Sequence, residues 1–74
     1  MIKLYTKTIC PKCILVKREL DNKNIQYELI NIEENEEARN KILNSGFMAT
    51  PILEVDDQLI GNFSEIQRII SELE

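Results

Sequence analysis

The sequence has no histidine and no tryptophan, and only two cysteines, two glycines and two prolines among its 74 residues. It has no apolar run near the ~20 residues that a membrane-spanning helix needs, so no membrane partner is expected. It has no excess of basic residues: thirteen acids face nine bases, for a formal charge of −4. Nucleic acid needs a basic face to meet its phosphates and is not expected as a partner either. Two cysteines do not make a disulfide scaffold. A structural staple between Cys10 and Cys13 would close too short a loop to stabilise much. The opening MIKLYT has neither the apolar region nor the small-residue cleavage site of a signal peptide. The chain is therefore expected to be mature as written and cytoplasmic. No repeat, linker or low-complexity segment interrupts it.

What is present suits one small folded domain over residues 1–74, expected to work as a monomer. Hydrophobic residues make up 43% of the chain and charged residues 30%. That balance fits a globular protein rather than a disordered one, with enough Ile, Leu and Val for one core. IKLYT (2–6) is a β-prone run. After the cysteines, Cys13, Val16 and Leu20 share one helical face; Pro11 suits the first turn, and Asn22 and Asn24 are stop signals. IQYELINI (25–32) predicts a second strand, with Tyr27 and Leu29 in alternation. EENEEARNKILNSG predicts a second helix, acidic at its start, basic later and ended by Gly46. PILEV (51–55) and QLI (58–60) flank Asp56 and Asp57 and predict a tight hairpin. In SEIQRIISELE, Ile66, Ile69, Ile70 and Leu73 line one face, and Ser64 with Gln67 fits a capping box. The order β-α-β-α-β-β-α predicts a four-stranded mixed α/β sheet with helices on both faces, the first β-α-β unit parallel and right-handed.

The chemistry is concentrated in TICPKC, residues 8–13. Positions i and i+3 on a helix have Cβ atoms about 5–6 Å apart, and a disulfide needs about 3.5–4.5 Å. A small local adjustment lets Cys10 and Cys13 cycle between dithiol and disulfide. A lone thiol has a pKa near 8.5 and is about 3% ionised at pH 7. Cys10, at the helix start and flanked by Lys7 and Lys12, sits where an anion is favoured. Cys13 faces the core and keeps its proton longer. Cys10 is thus expected to attack and Cys13 to resolve, with no bound metal or organic prosthetic group required.

A second reading stays open. Two thiolates suit Cu(I) or, shared between two chains, Zn, so the CxxC could serve a small metal-binding module. A structural zinc site usually needs four protein ligands, and the chain offers two thiols and no histidine.

Taken together, YTKTICPKC (5–13), TPILEV (50–55) and IGNFSE (60–65) resemble three stations of the glutaredoxins, in order and across essentially the whole chain. The resemblance implies a thioredoxin-like fold and a thiol–disulfide oxidoreductase. It implies a cis peptide between Thr50 and Pro51 facing the cysteines, where Thr50 backbone groups could pair with an extended substrate. It implies substrate-binding roles for Lys7, Pro11, Lys12, Thr50, Pro51, Asn62 and Ser64. Lys12 stands where many glutaredoxins have Tyr, and Asn62 and Phe63 replace part of a glycine-rich segment that grips glutathione. GFMATP (46–51) is similar to NrdH-type redoxins, which take electrons from thioredoxin reductase and give them to ribonucleotide reductase. The expected partners are therefore a disulfide-containing protein, with ribonucleotide reductase as one candidate, and either glutathione or such a flavoenzyme as electron source.

Overall fold

The first strand, β1 (Ile2–Thr6), lies at the centre of a computed structural model that describes residues 1–73. It pairs in parallel with β2 (Glu28–Asn31), through α1 (Pro11–Asn22), and antiparallel with β3 (Ile52–Val55), which follows α2 (Glu36–Asn44). β3 and β4 (Gln58–Ile60) form a hairpin, and α3 (Phe63–Glu72) follows it. The sheet order is β2-β1-β3-β4. This is the mixed four-stranded, three-helix arrangement that the element order predicts, and it matches the thioredoxin-like fold that the resemblance implies.

Strand alternation sorts the apolar residues to two sides. Leu4 and Leu53, paired across β1 and β3, meet Val16 and Leu20 of α1 and Ile66 and Ile70 of α3. Their neighbours Tyr5 and Ile52, also paired, meet Ile32 and Ala38 and Ile42 of α2. The single core expected from composition is thus divided by the sheet into two clusters. Two side-chain contacts tie the C-terminal half of α1 to α3. Gln67 Nε2 donates to Glu19 Oε1 at 3.1 Å, and Lys23 Nζ donates to the Ile70 and Ser71 carbonyls at 2.7 and 3.1 Å. A cation on the last carbonyls of a helix also opposes its dipole.

The turns follow their residue chemistry. Asp56 and Asp57 both take positive φ, 49° and 69°, the backbone that a two-residue hairpin loop requires. Asn24 (φ 56°) and Gly46 (φ 89°) leave α1 and α2 through the same left-handed region. Three expectations are corrected. β2 begins at Glu28, so Tyr27 precedes the strand and packs on the α1/α3 cluster, while Leu29 stays exposed. Glu33 and Glu34 precede α2, whose N-cap is Asn35, accepting from the Ala38 N–H. The cap of α3 is Asn62, not Ser64: its Oδ1 accepts from the Glu65 N–H at 3.0 Å. Phe63, packed on the apolar cluster, starts the helix two residues earlier than the Ser–Gln pattern suggests.

One polar side chain is buried in the sheet. Glu54 Oε1 accepts from the Tyr5 hydroxyl and from Lys41 Nζ, each at 2.7 Å. Burial alone would raise its pKa; the hydrogen bonds from Lys41 and Tyr5 outweigh that and hold the carboxyl below its ordinary range. The same contacts raise the Lys41 pKa, its bond to Glu54 foremost. Burial, followed by the bond to Glu54, raises that of Tyr5.

Candidate active site

β1 ends at Thr6, and the chain crosses four residues before Pro11 opens α1. Proline fits there because the first helical N–H has no partner in any case. Cys10 becomes the N-cap, with extended backbone (φ −155°, ψ 92°), and its Sγ accepts from the Cys13 N–H at 3.2 Å. The capping contact brings the cysteines together: their Cα atoms are 5.2 Å apart and the two sulfurs form a disulfide. Cys10 is half-buried, whereas Cys13 is 3% exposed and faces inward beside Val16 and Leu20.

The loop before Cys10 is braced by the end of β2. The Thr8 N–H donates to Glu33 Oε1 at 2.7 Å, and Asn31 Nδ2 donates to Thr8 Oγ1 at 3.2 Å. The Thr8 N–H is also the chief reason the Glu33 carboxyl titrates below its ordinary range, with Lys7 adding to it. The sequence predicts Glu33 only as part of the acidic start of the second helix; the contact spans 25 residues and has no local signal.

The Thr50–Pro51 bond is cis, as the resemblance implies. Thr50 Oγ1 lies 3.4 Å from Cys10 Sγ, placed to donate to it, and Pro51 is buried behind. A groove of about 400 Å³ is lined by Lys7, Ile9, Cys10, Pro11, Lys12, Ala49 and Thr50. A second groove of about 460 Å³ shares Lys7 and Cys10 with the first and is also lined by Thr8, Cys13, Ile14, Lys17 and Glu34. A separate hollow under Met1, Ile2 and Tyr27 contains none of these residues. Six of the sequence-selected residues, Lys7, Cys10, Pro11, Lys12, Cys13 and Thr50, thus line two adjoining grooves.

Asn62 and Ser64 line neither groove, and Asn62 Oδ1 is engaged in capping α3. Their segment touches the site indirectly. Lys12 Nζ sits 5.3 Å from the Phe63 ring centroid, a cation–π geometry. A Cβ built on Gly61 would come 2.6 Å from Phe47 ring carbons, so only glycine lets that ring pack where it does. Phe47 also packs on the α2-side cluster, as a loop residue turned to the core. Sequence reasoning missed Phe63 as the partner of Lys12. It also missed the exposure of Ile9 (88%) and Met48 (87%) beside the site. An apolar residue in a loop gives no local sign of which way it faces.

Two joined sulfurs at a helix start, one more open than the other and touched by a hydroxyl, suit reversible thiol–disulfide exchange. Among the described residues no group of three or more His, Cys, Asp or Glu side chains is placed to hold a metal ion. A glutaredoxin family model matches residues 2–60. The glutaredoxin-like protein NrdH of Lactococcus lactis is 34% identical over 71 residues, covering 93% of this chain and 99% of its own. The structure of the thioredoxin-like protein BC3987 superposes with a TM-score of 0.82 at 29% identity, over 93% of this chain and 99% of that one. That of Escherichia coli NrdH-redoxin, a glutaredoxin-like protein with a thioredoxin-like activity profile, superposes with a TM-score of 0.80 at 28% identity over 92% of each chain.

Proposed function

The chain belongs to the glutaredoxin family and is a thiol–disulfide oxidoreductase, and from this we propose that residues 1–74 act as one monomeric NrdH-type electron carrier. The observation that carries the reading is the Cys10–Cys13 disulfide on the first turn of α1, with Thr50 against its outer sulfur.

In the reduced protein, Cys10 is the nucleophile. The N–H of Cys13 and the hydroxyl of Thr50 point at its sulfur, and such donors stabilise a thiolate there. The Cys10 thiolate attacks one sulfur of a substrate disulfide. That S–S bond breaks, and the other substrate sulfur leaves as a thiolate and takes up a proton. Cys13 then gives up its proton and attacks Cys10 Sγ, the mixed disulfide breaks, and the substrate leaves as a dithiol. The Cys10–Cys13 disulfide that remains is the oxidised state seen here. A carrier that delivers electrons as a dithiol suits a reducing compartment such as the cytoplasm. Ribonucleotide reductase is the first substrate to try.

Recycling is assigned to a thioredoxin-reductase-type flavoenzyme rather than glutathione. Glutathione carries a carboxylate at each end, and beyond the lysines beside Cys10 it needs free backbone donors at the start of α3. Asn62 already occupies the Glu65 N–H, and Glu65 itself places a carboxylate at the start of α3. The thioredoxin-like activity profile of the E. coli relative supports the same choice. The test offers the oxidised protein both reductants in one buffer. The flavoenzyme-coupled rate is expected to exceed the glutathione-coupled rate on hydroxyethyl disulfide, and the reverse by a wide margin overturns the assignment. In parallel, Cys13→Ser is expected to trap mixed disulfides and Cys10→Ser far fewer; equal trapping would reverse the roles.

A further inference from the structure

One of the two grooves at Cys10 has the opposite charge to the molecule as a whole; the other includes Glu34 beside its lysines. The chain carries −4, yet the groove beside Thr50 is lined by Lys7 and Lys12 and by no carboxylate. Among the described residues neither lysine forms an ion pair. Lys12 is instead held against Phe63, which limits the wandering of a long flexible stem and keeps its charge beside the dithiol. Lys7 has Glu33 near enough to feel its charge, and that carboxylate is itself occupied by the Thr8 N–H. The same groove has apolar lining in Ile9, Pro11 and Ala49, and Ile9 is almost fully exposed, as is Met48, the residue before Ala49.

We propose that this face selects disulfides held in an extended segment with an acidic residue beside the cysteine and an apolar side chain next to it. The inference rests on the protein-disulfide reading above and specifies its substrate class. Charge complementarity is the argument. Two cations set on apolar ground attract an acidic segment and repel a basic one, and in an acidic protein they are the local exception that gives direction to the encounter. Because Glu33 partly offsets Lys7, Lys12 is the stronger determinant. The reaction is the exchange already written: two electrons pass from the Cys10–Cys13 dithiol to the peptide disulfide, with no further reductant in a single turnover.

The experiment uses the pre-reduced full chain in single-turnover mixing with synthetic peptides carrying one disulfide. One peptide has two Asp and a Leu flanking the cysteine, a second has two Lys and the same Leu, and a third has two Asp with Ser in place of Leu. The readout is the ratio of rates within one protein, in which the thiolate fraction of Cys10 cancels. At low salt the Asp peptide is expected to react about tenfold faster than the Lys peptide, the ratio falling toward one at high salt. Lys12→Gln should reduce the ratio more than Lys7→Gln, and Lys7→Glu with Lys12→Glu should invert it. Replacing Leu by Ser should slow the Asp peptide severalfold. A low-salt ratio near one in the native protein, or an unchanged ratio in the double Glu variant, overturns the proposal. Failure to reduce any of the three peptides overturns the protein-disulfide reading, and this inference with it. Slow recycling by the flavoenzyme would not enter the measurement.

Discussion

On the α1/α3 side of the sheet, Leu4, Val16, Leu20, Leu53, Ile66 and Ile70 meet as an apolar cluster. On the α2 side, Tyr5, Ile32, Ala38, Ile42 and Ile52 share their space with the Glu54 carboxylate and its bonds to Tyr5 and Lys41. The first side carries Cys13 on α1 and so holds the reacting helix. Burial of apolar surface does not depend on proton concentration, whereas a buried ion pair does. The helix that bears the dithiol is therefore anchored in the core by apolar contacts indifferent to the proton and electron transfers at its N-terminus. The buried carboxylate lies on the opposite face; on this side the titratable groups Glu19, Asp21, Lys23 and Tyr27 sit around the apolar cluster rather than within it.

The comparison is broken most directly by truncating one residue on each side. Leu20→Ala removes a fully buried side chain and should cost about 3 kcal/mol, the usual range for such a cavity. In denaturant titrations that loss should be the same at pH 7 and at pH 4. Glu54→Gln keeps the shape and an acceptor for Tyr5 but removes the charge, and should cost about 2 kcal/mol at neutral pH. Lys41, half-exposed, can turn to water and limit the damage.

The Glu54 effect should depend on pH with a definite sign. Its folded pKa is held below the ordinary 4.5, so its stabilisation is complete above that value and is lost as pH falls through the folded pKa. The difference between native protein and Glu54→Gln should shrink below about pH 4.5 and vanish in stronger acid. Lys41 gives the mirror image: its folded pKa is raised above the ordinary 10.5, so its contribution is lost only as pH rises beyond that value. Amide exchange at pH 3 to 4 should show α2 loosening before α1 and α3. Loosening of α1 first would mean that the two faces are not held as described.

Much of this was legible before the structure because it rests on local rules. The face of Cys13, Val16 and Leu20 and the stripe of Ile66 and Ile70 follow helical periodicity, and both are buried. Asp56, Asp57 and Gly46 mark positive-φ turns by residue type alone. The CxxC at a helix start could be read from Pro11 and the preceding strand, and the cis bond at Pro51 only from the family resemblance. What could not be read are contacts between distant segments. Nothing in ILEV distinguishes a buried Glu54, because its partners Lys41 and Tyr5 lie 13 and 49 residues away. Lys12 on Phe63 and Glu33 on Thr8 are of the same kind. The reading of Ser64 rather than Asn62 as the cap failed for a related reason. Both residue types cap helices, and only the packing of Phe63 on the core decides which one stands at the start.

The smallest expected effect tests that last choice, on the helix that closes the apolar face. Asn62→Ala removes the acceptor for the Glu65 N–H and should cost about 1 kcal/mol, while Asn62→Gly should cost only a few tenths. Ser64→Ala, inside the first turn and exposed, should change stability by less than about 0.5 kcal/mol. Asn35→Ala is the matching change on α2, where the Oδ1 accepts from the Ala38 N–H, and should cost about as much as Asn62→Ala. A cap acts on its own helix end through one neutral hydrogen bond, so neither loss should vary between pH 7 and pH 4. Equal losses at Asn62 and Ser64 in denaturant titrations would mean that the start of α3 shifts between the two residues. Phe63 would then not fix it, and the hold of α3 on Lys12 would be looser than the cation–π contact indicates.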